Sequence, residues 1–201
     1  MAIIRLKSGE IQCKIVYYGT GQSGKTTNLI TIHRSVGTRA RGELISINTT
    51  GDRTIFFDLL PLDMGTIKDL GIKLSIYTVP GQVQYNDTRK LVLKGCDGIV
   101  FVADSKIDKR NENIESLGNL YVNLRQMDRE LANIPLVLQF NKRDLIKDGV
   151  HTMPLEVMDK DLNPRSDRPW FGASALYGDG VKETFKEICM LTVADVCRQL
   201  I

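Results

Sequence analysis

The 201-residue sequence predicts an α/β fold: a single doubly wound, mostly parallel sheet with helices on both faces. Three observations predict it. Strand-like and helix-like segments alternate along the whole chain. Several strand segments are near-continuous apolar runs, the pattern of strands covered on both faces. A glycine-rich loop follows the first of those runs and opens a helix.

The strands expected in order are residues 13–18, 44–48, 54–60, 72–79, 98–104, 136–141 and 170–173. Helices are expected over 25–34, 111–129 and 181–200, the last carrying Val181, Phe185, Ile188, Leu191 and Val196 at spacings near three and four. The segments 44–48 and 54–60 are joined by the turn-rich Thr49-Thr-Gly-Asp-Arg53 and read as a hairpin or bent edge pair. Residues 159–168, charged and with prolines nearby, read as a surface connection. A length of 201 residues fits one domain, 1–201.

Composition excludes several classes of function. The formal net charge is +3 and the basic residues form no tail, so nucleic acid is not implied. Cys13, Cys96, Cys189 and Cys197 form no Cys-x-x-Cys pair, and with only His33 and His151 they suggest no zinc set. Reduced, buried thiols in a cytoplasmic protein are the expected reading. No signal-peptide or membrane-spanning run is present. Ala2 excludes N-myristoylation, and Cys197-Arg-Gln-Leu-Ile201 places its cysteine one position too early for prenylation. No direct membrane anchor is expected, and any membrane association would come through a partner.

The strongest chemical signal is Gly19-Thr-Gly-Gln-Ser-Gly-Lys-Thr26, which matches G-x-x-x-x-G-K-[ST] between a strand and a helix. Glycines let the backbone approach oxygen atoms closely, and successive N–H groups with the positive end of a helix bind phosphate. The candidate phosphate cradle comprises Gly19, Gly21, Gln22, Ser23, Gly24, Lys25, Thr26 and Thr27. Lys25 is placed to reach the β- and γ-phosphates, and the Thr26 hydroxyl to coordinate Mg²⁺.

Asn141-Lys-Arg-Asp144 follows an apolar strand and has the Asn-Lys-x-Asp spacing of guanine recognition. Guanine points its N1–H and N2 amine the same way, and one carboxylate, Asp144, accepts both. Adenine has no such pair and would leave a buried carboxylate unsatisfied. Lys142 would lay its stem along the base, and Asn141 would tie the loop together. Downstream, the backbone amides of Ser174 and Ala175 are placed to bond the guanine carbonyl. GTP and GDP are therefore the expected substrate and product.

Between these anchors lies Thr78-Val-Pro-Gly-Gln82. Small GTPases usually have Asp-x-x-Gly here, with the aspartate holding Mg²⁺ through water. Thr78 offers a hydroxyl to such a water but brings no charge. Gly81 is where a backbone amide can meet the γ-phosphate, and Gln82 is placed to orient the attacking water.

Taken together, Lys14-Ile-Val-Tyr-Tyr-Gly, Gly24-Lys-Thr-Thr-Asn-Leu, Asp52-Arg-Thr-Ile-Phe-Phe-Asp, Tyr77-Thr-Val-Pro-Gly-Gln and Phe140-Asn-Lys-Arg-Asp resemble the MglA family over about residues 10–200. These are prokaryotic Ras-like P-loop GTPases that regulate cell polarity and motility, and the threonine at the Thr78 position is itself a mark of the family. The resemblance implies that Thr54 coordinates Mg²⁺ and senses the γ-phosphate, and that Arg53 is an arginine finger supplied in cis. An arginine there can contribute ~10³–10⁵ in rate. It also implies a dimeric Roadblock-fold co-GAP, MglB, whose docking shifts the strand 54–60, with slow hydrolysis in its absence and with polarity or motility effectors downstream. Two alternatives stand beside the GTPase switch. A GTP-binding interaction module with negligible hydrolysis is favoured by the uncharged Thr78. A P-loop kinase of a small metabolite lacks a lid of clustered arginines and leaves Asn141–Asp144 without a role.

Overall fold

A computed structural model describes residues 3–5, 9–38, 40–49, 55–67 and 70–199. In chain order the elements are β1 (Ile3–Arg5), β2 (Glu10–Tyr18), α1 (Lys25–Ser35), β3 (Ile45–Thr49), β4 (Ile55–Ile67) and β5 (Leu70–Thr78). There follow α2 (Asn86–Leu93), β6 (Gly98–Asp104), α3 (Arg110–Arg125), β7 (Leu136–Asn141), α4 (Leu155–Leu162), β8 (Trp170–Gly172) and α5 (Val181–Arg198). Short 3₁₀ turns fill several of the connections.

The strands form one sheet in the order β3-β4-β5-β2-β6-β7-β8, with β1 lying along β2. From β5 to β8 every pairing is parallel, and β3–β4 and β4–β5 are antiparallel. Of the expected hairpin or bent edge pair, the antiparallel β3–β4 pairing is present, and the connector 50–54 lies outside the described residues. Register brings Tyr17 of β2 beside Thr78 of β5, and Asp104 of β6 beside Asn141 of β7. The C-terminal strand ends thus meet along one edge, where open α/β sheets bind ligands.

Every residue of β6 and β7 is buried, which is why both read as largely apolar runs; the exception inside β7, Gln139, is bonded to Asn28 and Thr184. Alternate side chains feed two cores. Ile15, Tyr17, Val100 and Val102 pack with Leu29 of α1 and Ile188 of α5 on one face. Val16, Tyr18, Ile99 and Phe101 pack with Leu93, Leu120 and Met158 of α2, α3 and α4 on the other. The doubly wound expectation holds.

The structure departs from expectation where signals were short. Helices α2 and α4 have eight residues each, about two turns, too few for a periodic pattern to declare itself. Residues 159–162, expected in a surface connection, complete α4. Asn163 behind them is buried and bonds the Asp159 carboxylate (2.8 Å) and the Arg168 carbonyl (3.0 Å). Helix α3 ends at Arg125, before the expected 129, because Asp128 takes a left-handed φ of 55°. Strand β4 runs through Pro61 to Ile67; β3 pairs with it as far as Leu59, and beyond that Pro61 faces Gly42, whose N–H donates to the Pro61 carbonyl (2.9 Å). Cys13, Cys96 and Cys189 are buried as expected, whereas Cys197 is only half-buried. Burial pushes the Cys13 and Cys189 thiols up to about 12, so neither is a nucleophile near neutrality. No helix among the described residues is long and apolar enough to cross a membrane.

Candidate functional site

The glycine-rich loop joins β2 to α1 as expected. Helix α1 begins after Gly24 with no side-chain cap and no acidic residue in its first turn. Its first N–H donors are left for an anion. The glycines are demanded by the surroundings as well as by any ligand. A Cβ on Gly24 (φ 100°) would lie 2.2 Å from Asn141 Nδ2, and one on Gly81 would lie 2.3 Å from the Gly21 Cα. The loops carrying Gly24 and Gly81 are thus packed backbone to neighbour with no room for side chains.

Within this loop Lys25 is buried, its Nζ donating to the carbonyls of Gly19 (3.1 Å) and Thr20 (2.5 Å). Burial, and next the positive charge of Arg89, lower its pKa to about 7, with Asp58 opposing. A lysine held at that value is electrostatically short of an anion, and a phosphate in the loop would supply one. Beside it a cavity of about 590 Å³ is lined by Gly21, Thr26, Thr78, Gly81 and Gln82 among others.

Thr78 does not stand alone. Asp58 of β4, 1% exposed, accepts from Thr26 Oγ1 (2.7 Å) and Thr78 Oγ1 (2.9 Å) through Oδ2, and from Ser46 Oγ (2.7 Å) through Oδ1. Its backbone N–H in turn donates to Thr78 Oγ1 at 2.9 Å. The charge missing at position 78 is therefore present one strand away. Sequence reading missed Asp58. Its signal was an aspartate inside the apolar run Ile55-Phe-Phe-Asp-Leu-Leu.

Gln82 is exposed at the cavity rim, where its side-chain carbonyl accepts from Gln84 Nε2 at 3.1 Å. Arg53 and Thr54 lie outside the described residues; Ile55, which follows them, is the first residue of β4.

A second cavity, about 490 Å³, adjoins the first and shares Gln22, Gly24 and Thr27 with it. Asn141, Lys142, Asp144 and Ala175 line it. Asn141 is buried and joins two loops: its Nδ2 donates to the Ser23 carbonyl (2.7 Å), and its Oδ1 accepts from the Ala175 N–H (2.8 Å). Lys142, at a left-handed φ of 69°, pairs with Asp104 (2.7 Å) at the end of β6. Asp144 is half-buried, and no side chain among the described residues pairs with its carboxylate. One expectation is corrected. The Ser174 N–H donates to the Asp179 carbonyl (2.9 Å) and the Ala175 N–H to Asn141, so neither amide is directed at a base. Ser174 does not line the cavity, whereas Ala175 does and Leu176 continues the wall.

The arrangement can hold phosphate oxygens at one end and a base with adjacent N–H donors at the other. Comparison with known proteins agrees. Residues 1–192 match the model of the ADP-ribosylation factor family. The chain is 47% identical over 196 residues to the Mutual gliding-motility protein MglA of Myxococcus xanthus (strain DK1622), covering 98% of each chain. It is 29% identical to ADP-ribosylation factor-like protein 2 of Arabidopsis thaliana (92% of this chain, 90% of the relative). It is 25% identical to ADP-ribosylation factor K of Dictyostelium discoideum (91% and 87%). The chain belongs to the ADP-ribosylation factor family and is an MglA-like, Ras-like small GTPase, a switch that binds GTP and hydrolyses it to GDP.

Proposed function

We propose that this GTPase regulates cell polarity or gliding motility through protein partners, and that its nucleotide lies across the two adjoining cavities. The observation that carries the placement is the shared wall of Gln22, Gly24 and Thr27 between the Lys25 cavity and the Asp144 cavity. Gly19, Gly21, Gln22, Ser23 and Gly24 with the open end of α1 take the phosphates, and Lys25 the β- and γ-oxygens. Asp144 accepts the guanine N1–H and N2 amine. Lys142 lies along the base, and Asn141 holds the loops that frame it.

The donor set fits Mg²⁺: hard oxygens of Thr26 and Asp58 stand together beside the phosphate loop. Mg²⁺ bound there would neutralise charge on the β- and γ-phosphates. Thr26 and Thr54 would hold it directly. Asp58 would hold it through water, with Thr78 as the residue that anchors the Asp58 carboxylate. Gly81 meets the γ-phosphate with its backbone amide, Gln82 orients the attacking water, and Arg53 stabilises the charge that develops as the γ-phosphoryl leaves. The latter two roles rest on the resemblance and on the chemistry of phosphoryl transfer.

Motility is the activity named for the Myxococcus relative, and the 98% mutual coverage supports carrying it over. The partners that follow are a Roadblock-fold, MglB-like co-GAP dimer and polarity or motility effectors, with the chain cytoplasmic and brought to a pole by them. Single-turnover hydrolysis with and without such a dimer tests the reading. Slow hydrolysis alone, strong acceleration by the dimer, and loss of that acceleration in Arg53→Ala and Gln82→Leu are expected. Indifference to both substitutions would favour a GTP-holding module instead.

A further inference from the structure

Arg89 of α2 is 1% exposed, yet no carboxylate among the described residues pairs with it. Its donors go to neutral oxygens. Nε donates to the Pro80 carbonyl (2.9 Å), Nη2 to the Gly81 carbonyl (2.5 Å) and Nη1 to Asn119 Oδ1 (2.8 Å). The guanidinium also lies 5.4 Å from the centroid of the Tyr18 ring. A buried charge without a counter-charge is costly, and a fold that keeps one usually has a use for it.

Two consequences follow from this geometry. In a trans peptide the N–H points opposite to the preceding carbonyl, and the chain has no cis bonds among the described residues. Fixing the Pro80 carbonyl toward Arg89 therefore turns the Gly81 N–H away from it, and fixing the Gly81 carbonyl does the same for Gln82. Neither N–H has an acceptor among the described residues, and both residues line the Lys25 cavity. The second consequence is electrostatic. Arg89 is close enough to the cavity for its charge to be felt at Lys25. The Lys25 end of the cavity thus feels the positive charge of Arg89 as well as the negative charge of Asp58.

We propose that Arg89 is a positioning residue for the terminal phosphate: it clasps Pro80 and Gly81 from behind so that their loop presents its N–H groups forward, and it leaves a positive charge that the third phosphate of a nucleoside triphosphate balances. Arg89 is thereby a determinant of triphosphate over diphosphate preference. This rests on reading the cavity as the seat of the nucleotide phosphates.

The test is the ratio of affinities for a non-hydrolysable GTP analogue and for GDP, measured by calorimetry with Mg²⁺ present. Asn119→Asp keeps an acceptor for Arg89 Nη1 and for the Tyr18 hydroxyl, which bonds Asn119 Oδ1 at 2.5 Å, while giving the guanidinium a permanent counter-charge. It is expected to lower the triphosphate-to-diphosphate ratio about tenfold, with GDP affinity changed by less than about threefold. Arg89→Lys is expected to do the same, since a lysine cannot bond both carbonyls and Asn119 in one plane. Asn86→Ala removes the Asn119 Nδ2 to Asn86 Oδ1 bond (3.0 Å) without adding charge and is expected to leave the ratio alone. Equal weakening of both nucleotides, an unchanged ratio in Asn119→Asp, or an equal shift in Asn86→Ala overturns the proposal. Failure of the unsubstituted protein to bind either nucleotide overturns the reading of the cavity beneath it.

Discussion

Asp58 and Thr78 stand on adjacent antiparallel strands and bond each other twice, hydroxyl to carboxylate and backbone N–H to hydroxyl, each at 2.9 Å. The pair divides between two strands what an aspartate on β5 would do alone. The hydroxyl fixes the carboxylate, and the carboxylate brings the charge toward Thr26.

A first prediction follows for Mg²⁺. Asp58→Asn preserves shape and some hydrogen bonding but removes the charge. The Mg²⁺ concentration needed to slow release of a fluorescent GDP is expected to rise about tenfold or more, with release in EDTA unchanged. Adding Thr78→Asp to Asp58→Asn restores a carboxylate on the neighbouring strand and should recover most of the loss. An unaltered Mg²⁺ requirement in Asp58→Asn would leave Asp58 a purely structural residue.

Lys25 gives a pH dependence. Its pKa in the empty loop is lowered to about 7, first by burial and then by Arg89. A bound phosphate favours the charged form and raises it. At pH 8 the empty protein is mostly unprotonated at Lys25 and the complex is protonated, so GDP binding takes up close to one proton. By about pH 6 the lysine is protonated in both states and its uptake vanishes. Binding enthalpies compared in buffers of different ionisation heat measure the uptake. No difference between buffers at pH 8 would contradict it.

Base selection should be transferable. Asp144→Asn turns one of two acceptors into a donor, which suits the 2-oxo group of xanthine and opposes the guanine amine. GDP affinity is expected to fall about 10²-fold and xanthosine diphosphate affinity to rise above it. Competition binding with the two nucleotides is the check; unchanged preference would remove Asp144 from the base site.

Asn141 joins stability to binding, because it bonds Ser23 and Ala175 at once. Asn141→Ala leaves a buried carbonyl and a buried N–H unsatisfied, a cost of about 2–4 kcal/mol. A drop in Tm of roughly 5–10 °C is expected in thermal denaturation, together with weaker GDP binding. A variant as stable as the parent would show that these two bonds are replaceable.

What could be read from the residues was local. The phosphate loop and the Asn141–Asp144 turn are contiguous motifs at strand ends, and β6 and β7 declare their burial by apolar runs broken only by Gln139 before their polar ends. Asp58 was hidden because its meaning depends on an antiparallel pairing that brings β4 beside β5. Arg89 was hidden because α2 is too short to show a face. The Ser174 and Ala175 amides looked available because their acceptors, Asp179 and Asn141, are brought to them only by the folded loops.

One measurement bears on the whole site at once: calorimetric titration of nucleotide-free protein with GDP and, separately, with ADP. GDP is expected to bind at least 10²-fold tighter than ADP, and Lys25→Ala to abolish both. Equal affinity for the two diphosphates, or binding of neither, would contradict the assignment of these cavities to a guanine nucleotide.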